Sequence, residues 1–159
     1  MKALRIFSTL FVLFIFGNAT AQEKTEKAKS SIEELLNSKS FEFIANTAIP
    51  LSGATRDLVG SGYSITFSPE MVVSNMPFYG RAYSGMNMGR DKGMRFKGIP
   101  ENFTVVNSKN GYEVSTKVKG ENDTYVILIT TGNSGFATLS ISSNDRGTIS
   151  YQGEIVSRL

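Results

Sequence analysis

The segment Met76-Pro77-Phe78-Tyr79-Gly80-Arg81-Ala82-Tyr83 holds the residues best equipped for recognition chemistry. In an extended backbone, Tyr79, Arg81 and Tyr83 share one face, while Phe78, Gly80 and Ala82 take the other. A guanidinium between two phenol rings can stack on a ring or fork onto a carboxylate. The same stripe also fits cross-strand packing, with the stem of Arg81 buried and its head in water. The glycine-framed stretch Gly85 to Gly93 follows, with Met86 and Met88 as adaptable apolar contacts. Arg95 and Lys97, flanking Phe96, extend the positive character. The candidate ligand-binding residues are thus Tyr79, Arg81, Tyr83, Met86, Met88 and Arg95.

Other chemistry is excluded by residue type. The chain has no histidine and no cysteine, which removes Ser-His-Asp and Cys-His nucleophiles and the common zinc sites. Neither standard spacing of a glycine-rich phosphate loop occurs. Carboxylates remain, and a glycosidase needs only two. Glu33 and Glu34 are accounted for by helix capping and a solvated face, and Glu121 and Asp123 by an exposed hairpin loop. That loop lacks the ligand spacing of an EF-hand. No catalytic residue, metal or cofactor is expected.

These side chains need elements to hold them. Ser31-Ile32-Glu33-Glu34 has capping-box spacing, and Ala28, Ile32, Leu35 and Leu36 line one helical face. A short amphipathic helix is expected over roughly residues 25–38. From Ser40 the period changes to two. Phe41, Phe43 and Ala45, then Tyr63, Ile65 and Phe67, alternate with polar neighbours as half-buried strands do. Phe103 and Val105 continue the pattern, and Tyr112 to Val118 is the cleanest one-face-wet strand. Tyr125 to Thr131 is apolar on both faces, which predicts a strand covered on each side, with the helix over one of them. Ala137, Leu139 and Ile141, then Ile149, Tyr151 and Ile155, complete the series. Asn110-Gly111, Gly132 to Gly135 and Asn144 to Gly147 read as the turns between them. The expected fold is mostly β: an antiparallel sandwich or open barrel, a lipocalin-like one among the options, with the helix packed against it.

The N-terminus carries an address. Lys2 and Arg5 precede an apolar run from Ile6 to Phe16, and Ala19-Thr20-Ala21 supplies small residues for cleavage before Gln22. The apolar run is about half the roughly 20 residues a spanning helix needs. Without a cysteine there is no site for lipoprotein acylation. The expectation is a signal peptide over 1–21, a flexible segment over 22–30 and one β-rich domain over 31–159. The product is expected to be periplasmic or secreted, soluble and not lipid-tethered. Losing Lys2 and Arg5 from 17 basic residues leaves 15 against 14 acidic, a net charge of about +1. That balance, with no polybasic run, argues against nucleic acid as a partner. The strands are too short, and the C-terminus lacks the aromatic residue, for an outer-membrane barrel.

Ile32-Glu33-Glu34-Leu35, Phe41-Glu42-Phe43, Tyr79-Gly80-Arg81-Ala82-Tyr83 and Gly93-Met94-Arg95-Phe96 together resemble the domain-of-unknown-function family numbered 4251. Gly135-Phe136-Ala137, Ser143-Asn144-Asp145-Arg146 and Ile149-Ser150-Tyr151-Gln152-Gly153 are also similar to it. The resemblance implies a small exported protein of Gram-negative bacteria with no assigned activity. Many members are lipoproteins, and this chain departs from them by lacking the cysteine. The expected function is a non-enzymatic cell-envelope module that binds a small ligand or an envelope protein. The alternatives are a carboxylate-dependent enzyme acting on envelope glycans and a purely structural or interaction domain.

Overall fold

The computed structural model describes residues 31–80, 93–121 and 123–158. Residues 31–37 are helical and form α1. Ser31 is already inside the helix, so its hydroxyl is not at the cap that the Ser31–Glu34 spacing predicts. The other end stops for a visible reason. Lys39 takes a left-handed φ of 56°, and the Ser38 amide reaches back to the Glu34 carbonyl at 2.9 Å.

Nine strands follow: β1 (Phe41–Pro50), β2 (Arg56–Asp57), β3 (Ser64–Phe67), β4 (Val72–Met76), β5 (Met94–Ser108), β6 (Gly111–Lys119), β7 (Thr124–Thr131), β8 (Phe136–Ser143) and β9 (Ile149–Ser157). Each of β3 to β9 pairs antiparallel with its neighbour in sequence, and β9 returns to pair with β1 from Phe41↔Ser157 to Pro50↔Ile149. The sheet therefore closes on itself as an eight-stranded up-and-down barrel, with β2 as an extra short strand on β1. Of the two expected architectures it is the barrel, closed by the β1–β9 pairing. β2 and β3 both run antiparallel to β1, on Thr47–Ala48 and on Phe41–Ile44. They are two halves of one return strand, interrupted opposite Ala45 and Asn46 by residues 58–63.

Alternation sends one row of side chains into the barrel, and that row fills it. Phe41, Phe43, Ile65, Phe67, Ile127, Ile129, Leu139 and Tyr151 are all fully buried. Phe41 stacks on Phe67 with centroids 4.6 Å apart. An eight-stranded barrel is just wide enough for side chains to fill or for one small ligand to enter; here side chains fill it. Buried hydroxyls within the wall are satisfied by backbone carbonyls, Ser74 on Met94 at 2.6 Å and Thr116 on Glu101 at 2.9 Å.

α1 closes the end where β1 begins. Leu36 and Ile32 enter the core, and the Tyr112 hydroxyl donates to the Glu33 carboxylate at 2.9 Å. The helix does not lie over β7. The outward row of β7 stays half open to solvent, with Val126 43% and Leu128 37% exposed. A barrel's outer wall has no second layer, so an apolar outward row there remains on the surface.

Two turns also differ from expectation. The β5–β6 hairpin pairs Ser108 with Gly111, so its loop is Lys109–Asn110, one residue earlier than Asn110-Gly111. Gly111 serves instead for close approach: a Cβ there would lie 1.9 Å from the Thr131 carbonyl oxygen. β5 contains a bulge where register shifts between Glu101 and Thr104, with Asn102 at a φ of 53°.

Candidate functional site

The end opposite α1 collects the β4–β5, β6–β7 and β8–β9 connections and the tip of β1. β4 reaches it through alternation, with Val72, Ser74 and Met76 facing in and Val73 and Asn75 facing out. Beyond Met76 the chain leaves the ladder and folds over the opening. Pro77 is buried, and its carbonyl accepts the hydroxyl of Tyr151, which rises from the core. Residues 77–80 are thus not a strand, and Phe78 and Tyr79 are both half-buried.

Each of these two rings carries a guanidinium. Arg56 of β2 lies over Tyr79, its Cζ 5.5 Å from the centroid, and Arg146 of the β8–β9 connection lies over Phe78 at 5.4 Å. Arg146 also donates from Nη1 to the Gly93 carbonyl, tying that connection to the start of β5. Phe96 and Tyr125 stack nearby with centroids 3.8 Å apart. Asp123 Oδ1 accepts the Thr124 amide at 2.7 Å and the Asn144 amide at 3.2 Å. It therefore holds two connections together, and no second carboxylate is needed to explain it.

Burial sets the electrostatics of the rings. It raises the Tyr151 phenol far above its ordinary value, the neighbouring Tyr79 adds to the rise, and Arg146 opposes it. Tyr125 is raised first by burial, then by Asp123, with Arg146 again opposing. Both phenols stay neutral donors at physiological pH. Among the described residues, no group of three metal-ligating side chains converges.

Of the residues singled out from the sequence, Tyr79 lies in this cluster, and its described cation partner is Arg56 of β2. Arg95 stands on the outward face of β5 opposite Asn75 of β4. Arg81, Tyr83, Met86 and Met88 lie outside the described residues. Arg56, Arg146 and Tyr151 were not foreseen at this end. Arg56 and Arg146 sit in polar stretches of sequence, and only the pairing of distant strands brings them over the rings.

A second feature lies on the outer wall. A groove of about 360 Å³ crosses β7, β8, β9 and β1, lined by Asn46, Thr47, Thr130, Phe136, Ala137, Thr138, Gln152 and Gly153. Register puts Thr130, Thr138, Gln152 and Thr47 in one row, each paired with the next. The wall is thin there, because Gly153 pairs with Ala137 and with Ala45, where β1 bulges. A Cβ at Gly153 would fall 1.9 Å from the Ile44 carbonyl oxygen. Phe136 stands 67% exposed beside the row. The strand parity of Ala137, Leu139 and Ile141 already places Phe136 on the outward face, a signal the sequence did carry.

A family model described as "Domain of unknown function (DUF4251)" matches residues 22–155. No curated protein matches the chain. Among solved structures, the crystal structure of a DUF4251 family protein from Bacteroides eggerthii DSM 20697 at 1.95 Å resolution is similar, with a TM-score of 0.63 at 17% identity. The similarity covers 82% of this chain and 87% of that one, and at that identity it speaks for the fold alone. With the family match running across almost all of the β-rich chain, this protein belongs to the DUF4251 family.

Proposed function

We propose that the protein is an exported, non-enzymatic recognition barrel that meets its ligand at the end closed by residues 77–80. The observation that carries this reading is the half-exposed Tyr79 ring with the exposed Arg56 guanidinium laid over it, 5.5 Å from the centroid. A cation preset on a ring presents a flat donor edge beside an apolar face, which suits a ligand with a carboxylate next to an apolar or aromatic group. The filled interior supports an external site, since side chains occupy the space a lipocalin-type ligand would need. Support for export comes from the apolar leader and from the family match, which begins at Gln22.

The test is a titration of isotope-labelled protein with benzoate, followed by nuclear magnetic resonance. Shifts confined to Arg56, Tyr79 and their neighbours, and abolished in Arg56→Ala, are the expected result. Shifts scattered over the surface, or unchanged in Arg56→Ala, would sink the assignment. Thermal midpoints of Arg56→Ala and Tyr79→Ala are expected within a few degrees of the parent.

A further inference from the structure

We propose a second site, independent of the first: the wall groove over β7, β8, β9 and β1 binds a neutral saccharide. Its lining contains no charged side chain, although 19% of the chain is charged. That argues against phosphate, nucleotide or carboxylate ligands, each of which asks for a cation or a cluster of free amides. Five of the eight lining residues are threonine, asparagine or glutamine, too polar a set for an acyl chain. Strand addition by a peptide is closed off as well, because β7, β8, β9 and β1 each already pair on both sides.

What fits is a ligand with hydroxyls along its edges and C–H groups on its faces. Hydroxyl and amide side chains both give and accept hydrogen bonds, as sugar hydroxyls do. Thr130, Thr138, Gln152 and Thr47 repeat at the strand spacing of about 4.8 Å, so the row spans about 14 Å. That length accommodates a short oligosaccharide lying across the strands. Phe136 supplies the apolar platform for one ring face. Glu154 pairs with Phe136 in register but is not part of the lining, so it sets a negative charge at the rim that disfavours anionic sugars.

The experiment is isothermal titration of the purified chain with maltohexaose, cellohexaose and hexa-N-acetylchitohexaose, and with heparin oligosaccharide as the anionic comparison. At least one neutral probe is expected to bind saturably. Phe136→Ala is expected to weaken that probe about tenfold, and Phe136→Tyr to retain it. Because Phe136 is exposed, its alanine variant should keep the parent thermal midpoint. Gln152→Ala, at a second exposed position, provides the same readout should Phe136→Ala misfold. Failure of all three neutral probes to bind overturns the proposal. So does binding that both variants leave unchanged, or tighter binding of heparin that Phe136→Ala abolishes. None of these outcomes bears on the Arg56–Tyr79 end, which the benzoate titration tests separately.

Discussion

Tyr112 and Tyr151 are buried phenols at opposite ends of the barrel, and both titrate above their ordinary value of 10.0. For Tyr112 the causes are burial first, then the hydrogen bond to Glu33 and that carboxylate's charge. The folded state thus favours the neutral phenol more than the unfolded chain does. Their contribution to stability is complete below about pH 10 and is lost as pH rises beyond it. Phenolate absorbance should show Tyr112, Tyr125 and Tyr151 titrating above the ordinary value of 10.0. Titration of these three at that ordinary value in a folded protein would contradict their burial. Gly153 marks the other residue-scale limit. Its absent Cβ is what lets β9 pass the Ile44 carbonyl, so Gly153→Ala should destabilise by about 2–4 kcal/mol in denaturant unfolding. Full stability in that variant would mean the backbone there gives more easily than a paired strand should.

At the scale of elements, α1 acts as an end plug. Leu36 is fully buried and Leu35 only partly, so the two leucines are not equivalent although they are adjacent. Leu36→Ala is expected to cost about 2–4 kcal/mol by chemical denaturation, and Leu35→Ala clearly less. Equal losses would place the helix on the wall and not in the opening. The helix face was readable because Ile32 and Leu36 repeat at helical spacing. Its location was not, since an apolar stripe says that something covers it and not what. β4 escaped notice for the opposite reason. Ser74 occupies a core position on the Met94 carbonyl, so the apolar alternation is broken where a hydrogen bond stands in for it. β7 misled through its outward Val126 and Leu128, which read as a second buried face and prove to be surface.

For the whole molecule, closure between β1 and β9 and a side-chain-filled interior go together. Palmitate should show no saturable binding to the folded protein, in contrast to a barrel with an open cavity. A stoichiometric complex would require the core to open. The exported form should begin at Gln22 by mass spectrometry; an intact Met1 on that form would rule out the leader reading.

Composition and period alone determined the strand-rich class, the absence of histidine and cysteine chemistry and most strand positions, because these depend on residue type and local spacing. Tyr79 was legible as part of an unusual stripe for the same reason. Which residue stacks on it was not. Arg56 lies 23 positions away and meets the ring only through the pairing of β2 with β1. The groove beside Phe136 likewise exists only because four strands come into register around Gly153. Register between distant strands is a property of the closed sheet, and no local pattern encodes it.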